Sequence, residues 1–542
     1  GLVVVLYQMI EENNEDYTQI VLRQHSSYDS RTLPYRRGDI VDRNGTYLAT
    51  SEMVYNLIID PNQINQRRDN YLEPTVTALC EVFGYDRTEI TNLINENADY
   101  YIPYEKQLSM DQKEAFEAKA DELNEAYAAS GSRNRVKGIW FEQEYRRVYP
   151  YNSLACNVVG FSFDNGKQGS GGIEQYYNDQ LIGTNGREYG YLDDESNMER
   201  VIKPAENGNT IVSTIDANVQ KIVEKYIDEW MAGIGSQTAA VIAMDPRNGE
   251  ILAMVNYPEF DLNDPYTLPE LTEWKEDGSI AVVDPSTLTA EQKQEKLNAM
   301  WRNGCINDTY EPGSTFKIIT AAAGLEAGVV TPESTFSCPG FIIVDDRKIR
   351  CHKIGGHGTQ TFVQCMQNSC NPALISVGLR LGVDNYYKYF EQFGLKKRTG
   401  IDLPGEAATI MHKKEDMGNV ELATVAFGQS FQITAIQLLT TASSIINGGN
   451  RITPHLGMEA LNRDGEVEQV FTYPVETGIV SEETSATMRY ILETVVSEGS
   501  GRNGQVQGFR VGGKTATSQT LPRGSGRYIS SFIGFAPADD PQ

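Results

Sequence analysis

The feature that most constrains the fold of this chain is a change of sequence character near residue 205. Before it, strand-like stretches flank a charged helical segment; after it, apolar strand pairs and long helical runs dominate. The chain has 542 residues, and a single hydrophobic core rarely grows beyond about 250–300 residues. We therefore predict two folded parts, a β-rich N-terminal part (11–205) and an α/β C-terminal part (206–542).

The N-terminal part combines strand and helix patterns. Residues 46–60 alternate like a strand, whereas the pattern of 71–129 is helical. Its last run, 111–129, is strongly charged and predicts a solvated helix face rather than a binding patch. Two pairs of adjacent arginines are better explained as ion pairs inside this part than as contacts with a glycan or a partner: Arg36–Arg37 and Arg146–Arg147.

The C-terminal part begins with a clear strand–helix–hairpin pattern. Residues 206–231 predict a strand, an Asp N-cap and an amphipathic helix. Two apolar strands then flank an Asp-Pro-Arg-Asn-Gly turn at 245–249, which is a strong hairpin signal. Near the end, an apolar strand opens with glycines before Lys514, and residues 527–537 alternate like its neighbour.

A candidate nucleophile lies at the start of one predicted helix. Ser314 and Lys317 are three residues apart after a Pro-Gly break, so they share one face of the first turn. A serine hydroxyl becomes nucleophilic when a base removes its proton, and a buried lysine with a lowered pKa is such a base. The helix N-terminus adds positive potential where an oxyanion would form. Alone, this short pattern is common by chance.

Two further motifs make a catalytic role for Ser314 and Lys317 much more specific than the first motif alone. Ser369-Cys370-Asn371 lies in a loop before another helix, and Lys514-Thr515-Ala516-Thr517 lies on the late apolar strand. A serine with its lysine, a Ser-x-Asn and a Lys-Thr strand, in this order, form the signature of penicillin-binding proteins and class A β-lactamases.

The chain as a whole resembles the class B (monofunctional) penicillin-binding proteins, in particular their elongation-type and stage V sporulation protein D-like members. The resemblance covers nearly the whole chain. It rests on successive sequence boxes outside the three motifs: RGDIVDRNG (37–45), GGIEQYYNDQLIGTNG (171–186), AAVIAMDPRNGEILAM (239–254), TGIDLPGE (399–406), FGQSFQIT (427–434) and GGKTAT (512–517). It implies a multidomain α+β fold, in which a β-rich pedestal (dimerisation-type) domain with a helical insert precedes a serine-transpeptidase domain, a mostly antiparallel sheet flanked by helices.

The resemblance implies a peptidoglycan D,D-transpeptidase that crosslinks stem peptides and is acylated and inhibited by β-lactams. The implied catalytic roles are these: Ser314 is the acylated nucleophile, Lys317 its general base, Ser369 and Asn371 relay protons and hold the substrate amide, and Lys514 with Thr515 binds the substrate carboxylate. The backbone N–H groups of Ser314 and Thr517 would form the oxyanion hole. The chemistry itself needs no cofactor.

One position departs from the family pattern, because Ala516 stands where the third motif normally has glycine. Glycine there lets the strand approach a ligand closely. We expect the methyl group of Ala516 to narrow the cleft without abolishing activity.

Cysteine and histidine are concentrated in one stretch. The chain has 7 Cys and 5 His, and four residues of these two types form a candidate metal set: Cys338, Cys351, His357 and Cys370. Such ligands suit tetrahedral Zn²⁺, but the spacing is no standard zinc motif. A Cys338–Cys351 disulfide, or buried thiols beside a structural histidine, explain the pattern as well.

The resemblance favours zinc, because elongation-type relatives include members with a metal at similar positions. It implies a structural Zn²⁺ beside the second motif, with His352 as the alternative to His357. Four other cysteines are expected to be buried thiols in the protein cores: Cys80, Cys156, Cys305 and Cys365.

The beginning of the chain predicts attachment to a membrane. Residues 1–10 are mostly apolar but too few to span a bilayer, which needs about 20. We interpret them as the remnant of a single N-terminal membrane anchor, and the resemblance places the catalytic domain outside the cytoplasmic membrane, beside a membrane glycosyltransferase of the cell-wall machinery. It also implies that the transpeptidase domain continues past residue 542, which would leave an unpaired sheet edge.

The net charge of the chain argues against one class of partner, and two alternative functions stay open. A net charge of −27 disfavours nucleic acid as a partner. A non-catalytic penicillin-binding scaffold or β-lactam sensor is one alternative, supported only by Ala516. A serine β-lactamase is the other, and the large pedestal argues against it.

Overall fold

The computed structural model describes residues 30–97, 101–192, 198–275 and 277–542. The expected anchor remnant, residues 1–10, lies outside this part of the chain. Within the described residues, no helix has the length and apolar character needed to cross a membrane.

The N-terminal part contains short strands around one long strand, with a helical insert. Its strands are β1 (Ser30–Leu33), β2 (Ile40–Val41), β3 (Tyr47–Ile59), β4 (Ile102–Leu108), β5 (Ile139–Val148), β6 (Phe161–Phe163), β7 (Gln168–Ser170), β8 (Gly186–Leu192) and β9 (Met198–Lys203). Its helices are α1 (Pro61–Asn65), α2 (Arg68–Phe83), α3 (Arg87–Glu96), α4 (Met110–Ala129), α5 (Cys156–Val159), α6 (Gly172–Tyr176) and α7 (Asn178–Leu181).

The C-terminal part contains antiparallel hairpins between helices. Its strands are β10 (Thr210–Ser213), β11 (Ala239–Met244), β12 (Ile251–Tyr257), β13 (Leu271–Trp274), β14 (Ile280–Val283), β15 (Thr309–Tyr310), β16 (Thr335–Cys338), β17 (Phe341–Val344), β18 (Arg347–Arg350), β19 (Gly358–Thr361), β20 (Ile433–Thr434), β21 (Gly457–Leu461), β22 (Val467–Val470), β23 (Gly512–Gln519) and β24 (Tyr528–Phe535). Its helices are α8 (Ala217–Ala232), α9 (Ala290–Trp301), α10 (Gly304–Asn307), α11 (Lys317–Glu326), α12 (Phe362–Gln367), α13 (Asn371–Gln392), α14 (Asn419–Ala426), α15 (Ala435–Ile446) and α16 (Glu482–Ser497). Short 3₁₀ turns cover Pro285–Thr287, Gly313–Phe316, Lys414–Asp416 and Arg502–Gly504.

A seven-stranded sheet connects the two parts. Its order is β22-β21-β10-β2-β3-β4, and β5 also pairs with β3. Strands β2 and β10 pair in parallel, which brings residues on either side of position 205 into one sheet. The hairpin β21–β22 of the C-terminal part therefore extends a sheet that begins in the N-terminal part.

The helical insert packs over β3, β4 and β5 around a core of its own. The pattern of 71–129 predicted continuous helix, and this was wrong over Ile102–Leu108, which forms β4. Pairing with β3 overrides the local pattern there, because a strand with a long partner gains a ladder of backbone hydrogen bonds. The charged helix α4 is mostly exposed, as predicted, and its Ser109 N-cap and Gln112 form a capping box.

The first two sequence boxes meet at one buried carboxylate. Glu174, with no exposed surface, lies against the guanidinium groups of Arg37 at 3.4 Å and Arg147 at 2.5 Å. The Tyr149 hydroxyl donates to the same carboxylate at 2.9 Å. Removing one partner of such a buried pair leaves an uncompensated charge, at a cost of about 3–5 kcal/mol.

The prediction that the arginine pairs form ion pairs within this part is confirmed. Arg36 pairs with Asp39, and Arg146 pairs with Glu52 on the neighbouring strand. Together with the buried contacts of Arg37 and Arg147, these pairs hold the segment before β2 against β5 and α6.

The C-terminal part follows the predicted pattern closely. Asp216 caps α8 by accepting from the backbone N–H groups of Asn218 and Val219, and β11 and β12 form the predicted antiparallel hairpin. Strands β23 and β24 pair along their whole length, Gly512 opposite Phe535 through Gln519 opposite Tyr528. A buried helical core of α11, α13, α14, α15 and α16 supports this hairpin.

Candidate active site

The candidate nucleophile lies in a tight turn that leads directly into a buried helix. Residues Gly313–Phe316 form a 3₁₀ turn, and α11 continues from Lys317. Gly313 has a φ of +62°, and a Cβ at this position would lie 2.2 Å from the Ser518 Oγ, so the turn requires glycine. Ser314 is half-buried at the start of the helix, one turn before Lys317, as the sequence predicts.

Lys317 has no exposed surface, and its amine makes three polar contacts. Nζ lies 2.8 Å from the Ser369 carbonyl oxygen, 3.1 Å from the Ser369 Oγ and 2.7 Å from the Asn371 Oδ1. The carbonyl and amide oxygens only accept, so a neutral amine donates its two hydrogens to them and turns its lone pair toward the Ser369 hydroxyl.

The environment of Lys317 favours this neutral form. Burial, and then the positive charge of Lys514, lower the pKa of Lys317 well below its usual value. The amine is therefore available as a base at a pH where an exposed lysine would be fully protonated.

Ser369 lies between two lysines. Its Oγ is 3.1 Å from the Lys317 Nζ and 2.9 Å from the Lys514 Nζ. Its backbone has a φ of +51°, a conformation that costs a non-glycine residue free energy and persists where surrounding contacts fix it. The loop between α12 and α13 thus aims a hydroxyl at both amines, as the second motif requires.

The side chains of the third motif lie on two opposite faces of strand β23. Lys514 has no exposed surface and points toward Ser369, whereas Thr517 is exposed and Thr515 half-buried on the opposite face. Burial lowers the pKa of Lys514 to about 8, so this amine still carries its positive charge at neutral pH.

The structure gives the direction of the Ala516 methyl group, and the expectation that this group narrows the cleft stays a prediction. Side chains alternate along a strand, so Ala516 shares the buried face of Lys514 and is only 6 % exposed. A Cβ on Gly313 would lie 3.4 Å from the Ala516 Cβ, which places the methyl group against the Gly313–Phe316 turn. The methyl group therefore fills space between β23 and the turn that contains Ser314.

The four predicted metal ligands come together beside the second motif. The ligand atoms of Cys338, Cys351, His357 and Cys370 all lie within 4.8 Å of one another. A tetrahedral zinc with bonds of about 2.0–2.3 Å needs ligand atoms about 3.3–3.8 Å apart, so the set fits with small adjustments. His352 is exposed and its Nδ1 is 3.8 Å from the Cys351 Sγ, against 3.6 Å for the His357 Nδ1.

The backbone around this cluster is held independently of a metal. Cys351 N–H donates to the Gly340 carbonyl at 2.8 Å, and His357 N–H donates to the Cys338 carbonyl at 3.0 Å. All seven cysteines lie in the described part of the chain and are free thiols, so the structure contains no Cys338–Cys351 disulfide. Cys156, Cys305 and Cys365 are buried as expected, and Cys80 is partly buried.

Sequence reasoning missed an ion pair that joins the tip of the β23–β24 hairpin to the segment just before Ser314. The Arg523 Nη2 lies 3.1 Å from the Glu311 Oε1, and the same carboxylate oxygen accepts from the Ser430 backbone N–H at 2.7 Å. Glu311 precedes Ser314 by three residues, and this proximity in sequence could have marked Glu311 as a residue near the site. Arg523 lies in a Gly-rich turn and gave none.

Two known families match the chain. Residues 32–213 match the family described as the penicillin-binding protein dimerisation domain. Residues 239–542, more than half of the chain, match the penicillin binding protein transpeptidase domain. The chain belongs to the penicillin-binding protein transpeptidase family. It is a serine-type peptidoglycan D,D-transpeptidase of the penicillin-binding type, as the motifs and their resemblance predict.

Individual relatives agree with the family. Stage V sporulation protein D of Bacillus subtilis is 36% identical over 527 residues, covering 94% of this chain and 74% of that protein. The probable peptidoglycan D,D-transpeptidase PenA of Neisseria meningitidis is 26% identical over 550 residues, covering 100% of this chain and 83% of that protein. Penicillin binding protein 2X of Streptococcus thermophilus has a similar fold, with a TM-score of 0.75 at 22% identity, over 95% of this chain and 76% of that one.

Proposed function

We propose that this transpeptidase forms its acyl-enzyme on Ser314, with Lys317 as the general base. The observation that carries the proposal is the hydrogen-bonded series Lys317–Ser369–Lys514 beside the Ser314 turn. It joins all three motifs through two buried amines, one with a strongly lowered pKa. A buried amine of low pKa next to a serine at a helix start is the arrangement that an activated nucleophile needs.

In the first step, the neutral Lys317 amine takes the Ser314 hydroxyl proton, directly or through the Ser369 hydroxyl. The Ser314 Oγ then attacks the carbonyl carbon of the penultimate D-Ala of a stem peptide. The C–N bond to the terminal D-Ala breaks, and the proton passes to its leaving amine. We assign the oxyanion hole to the backbone N–H groups of Ser314 and Thr517, which lie at the helix start and on β23.

The second step returns the enzyme to its starting state. The amine of a neighbouring stem peptide attacks the carbonyl carbon of the Ser314 ester and loses a proton to the Lys317 amine. The C–O bond to Ser314 then breaks, the serine oxygen takes this proton, and the crosslinked amide leaves. A β-lactam enters the first step in place of the stem peptide, but ring opening releases no separate leaving group, so the acyl-enzyme persists.

The remaining motif residues bind substrate in this proposal. Asn371 accepts from Lys317 through its Oδ1 and donates one Nδ2 hydrogen to the Arg350 carbonyl, and the second Nδ2 hydrogen meets a substrate carbonyl in this proposal. Thr515 and Thr517 lie on the face of β23 opposite Lys514 and offer hydroxyls to the donor peptide and its carboxylate. The positive charge of Lys514 attracts this carboxylate electrostatically.

We further propose the domain division that the sequence predicts, with a pedestal over 11–205 and the transpeptidase domain from 206 onward. The family matches to 32–213 and 239–542 support it. Because the peptidoglycan substrate is extracytoplasmic, we place both domains outside the cytoplasmic membrane, next to the glycosyltransferase that supplies new glycan strands. The membrane anchor predicted from residues 1–10 stays a prediction.

The acyl-enzyme lifetime tests the function against its alternatives. We expect benzylpenicillin to form one covalent adduct per chain that persists for many minutes, because transpeptidases exclude water from this ester better than they exclude amines. A donor thioester with a D-amino acid as acceptor should yield the exchanged peptide. Rapid hydrolysis of the penicillin would identify a β-lactamase, and the absence of an adduct would identify a scaffold.

The Cys338, Cys351, His357 and Cys370 cluster is proposed to hold one structural Zn²⁺. Three thiolates and one imidazole are a closed tetrahedral donor set, which leaves no position for a catalytic water. Cys370 lies between Ser369 and Asn371, so a bound metal would fix the loop that presents both side chains to Lys317.

We expect purified enzyme to contain about one zinc per chain and to lose it to a strong chelator or to acid, because thiolate ligands must be deprotonated. Loss should lower both the melting temperature and the acylation rate. Cys338→Ala should abolish zinc binding, whereas Cys305→Ala, a buried thiol outside the cluster, should retain it. Sensitivity to reductant without any to chelator, with a Cys338–Cys351 crosslink in the peptide map, would contradict the zinc assignment.

A further inference from the structure

The β17–β18 hairpin beside the second motif presents two different faces. Its register pairs Ile342 with Ile349, and Phe341 with Arg350, across an Asp-Asp turn. The face with Ile342 and Ile349 packs on a small core under the hairpin, and this core contains Val344, Ile375, Ala423 and Phe427. The hairpin is therefore fixed to α13 and α14 by its inner side.

The opposite face carries both apolar and cationic side chains. We call Phe341, Ile343, Lys348 and Arg350 the outer face of the hairpin. Ile343 is 63% exposed and lies opposite Lys348 in the ladder, and the Lys348 Nζ lies 4.0 Å from the centre of the Phe341 ring. Ile343, Lys348 and Arg350 are exposed and Phe341 is half-buried. The two apolar residues lie on β17, each opposite a cation on β18.

The cations of this segment are not neutralised by the protein. Lys348 and Arg350, with Arg347 and Lys353 nearby, form no ion pair with the described residues. The carboxylates of the hairpin lie at its turn, and Asp345 there accepts from the Asn419 side chain at 3.2 Å. The hairpin segment is therefore locally cationic in a chain whose net charge is −27.

The base of the outer face reaches the acylation site. The Arg350 carbonyl oxygen accepts from the Asn371 Nδ2 at 3.4 Å, and the Asn371 Oδ1 accepts from the Lys317 Nζ at 2.7 Å. A peptide held between Asn371 and β23 would leave the site close to the end of β18. Cys351 follows Arg350 directly, so the proposed metal cluster would also fix this end of the strand.

We propose that the outer face binds carboxylates of the donor stem peptide, and so makes the enzyme selective for acidic over amidated stems. The inference rests on the proposed acylation of Ser314 by a stem peptide. Stem peptides contain a D-glutamyl residue two positions before the D-Ala pair, and its carboxylate is either free or amidated. Lys348 and Arg350 suit the free form, while Phe341 and Ile343 contact the aliphatic part of the peptide.

Two synthetic donors that differ at this one group test the proposal. Both carry the same D-Ala thioester, one with a free D-glutamyl carboxylate and the other with its amide. We expect a kcat/KM for the acidic donor about fivefold higher, since exposed ion pairs each contribute modestly. The preference should appear in KM more than in kcat, and should fall as salt is raised.

Variants of the two cations show whether the donor preference depends on their positive charge. Lys348→Ala/Arg350→Ala should reduce the ratio of the two kcat/KM values to about 1, and Lys348→Arg/Arg350→Lys should restore it. Lys167→Ala, which removes an exposed lysine from the β6–β7 hairpin of the N-terminal part, should leave the ratio as in the wild type.

Two results would overturn the proposal. One is a wild-type enzyme that uses both donors equally; if polyphosphate also competes with the donors, the outer face is assigned to a phosphate polymer. The other is an alanine double variant that keeps the preference. A wild type that forms a penicillin adduct but uses neither donor would instead contradict the proposed function, on which the inference rests.

Discussion

A Lys317→Met enzyme should be acylated by benzylpenicillin about 10²–10⁴-fold more slowly than the wild type, the range that general base catalysis contributes. Methionine fills the buried space of the lysine stem but offers no amine to Ser314 or to the Ser369 hydroxyl. Stopped-flow acylation, or the time course of adduct formation by mass spectrometry, measures the loss.

The pH profile gives this prediction a second readout. Lys317 acts as a base only when neutral, so the wild-type acylation rate should rise with pH through the lowered pKa of Lys317. Lys514 has a pKa of about 8 and attracts the carboxylate only when charged, so the rate should fall above about pH 8. The Lys317→Met enzyme should lose the rising limb and keep the falling one.

A surface variant serves as the control. Lys388→Met changes an exposed lysine on α13 and should be acylated like the wild type. The melting temperature of Lys317→Met shows whether the protein still folds. A folded Lys317→Met enzyme with a wild-type acylation rate and an unchanged rising limb would remove Lys317 from the mechanism.

The sequence predicted those elements whose patterns are local. The Asp-Pro-Arg-Asn-Gly turn requires a hairpin, and Asp216 before an amphipathic run requires a helix start; both are present. The helical interpretation of residues 102–108 failed because β3 offers a partner that is distant in sequence. Pro103, a helix breaker inside this segment, was a local signal against helix, but the sequence contains no information about which strand the segment pairs with.

In the candidate site, too, local features could be predicted from the sequence and long-range packing could not. The three motifs predicted Ser314, Lys317, Ser369 and Lys514 as site residues, and the structure brings Lys317, Ser369 and Lys514 into hydrogen-bond contact. The direction of the Ala516 methyl group depends on which face of β23 meets the Gly313 turn, and this packing is not visible in the sequence. Arg523 and Glu311 are 212 positions apart, and although Glu311 lies close to Ser314 in sequence, nothing in the sequence indicates that these two residues pair.

Intact-mass spectrometry of Ser314→Ala tests the central assignment most directly. We expect the wild type to gain one penicillin mass, on the peptide that contains Ser314, and Ser314→Ala to gain none, because losing the nucleophile of a serine enzyme costs about 10⁶-fold in rate. Ser376→Ala removes a hydroxyl that donates to the Pro372 carbonyl on α13, and this variant should be acylated like the wild type. A folded Ser314→Ala protein that still acquires one covalent penicillin, on Ser369 or any other residue, would contradict the account.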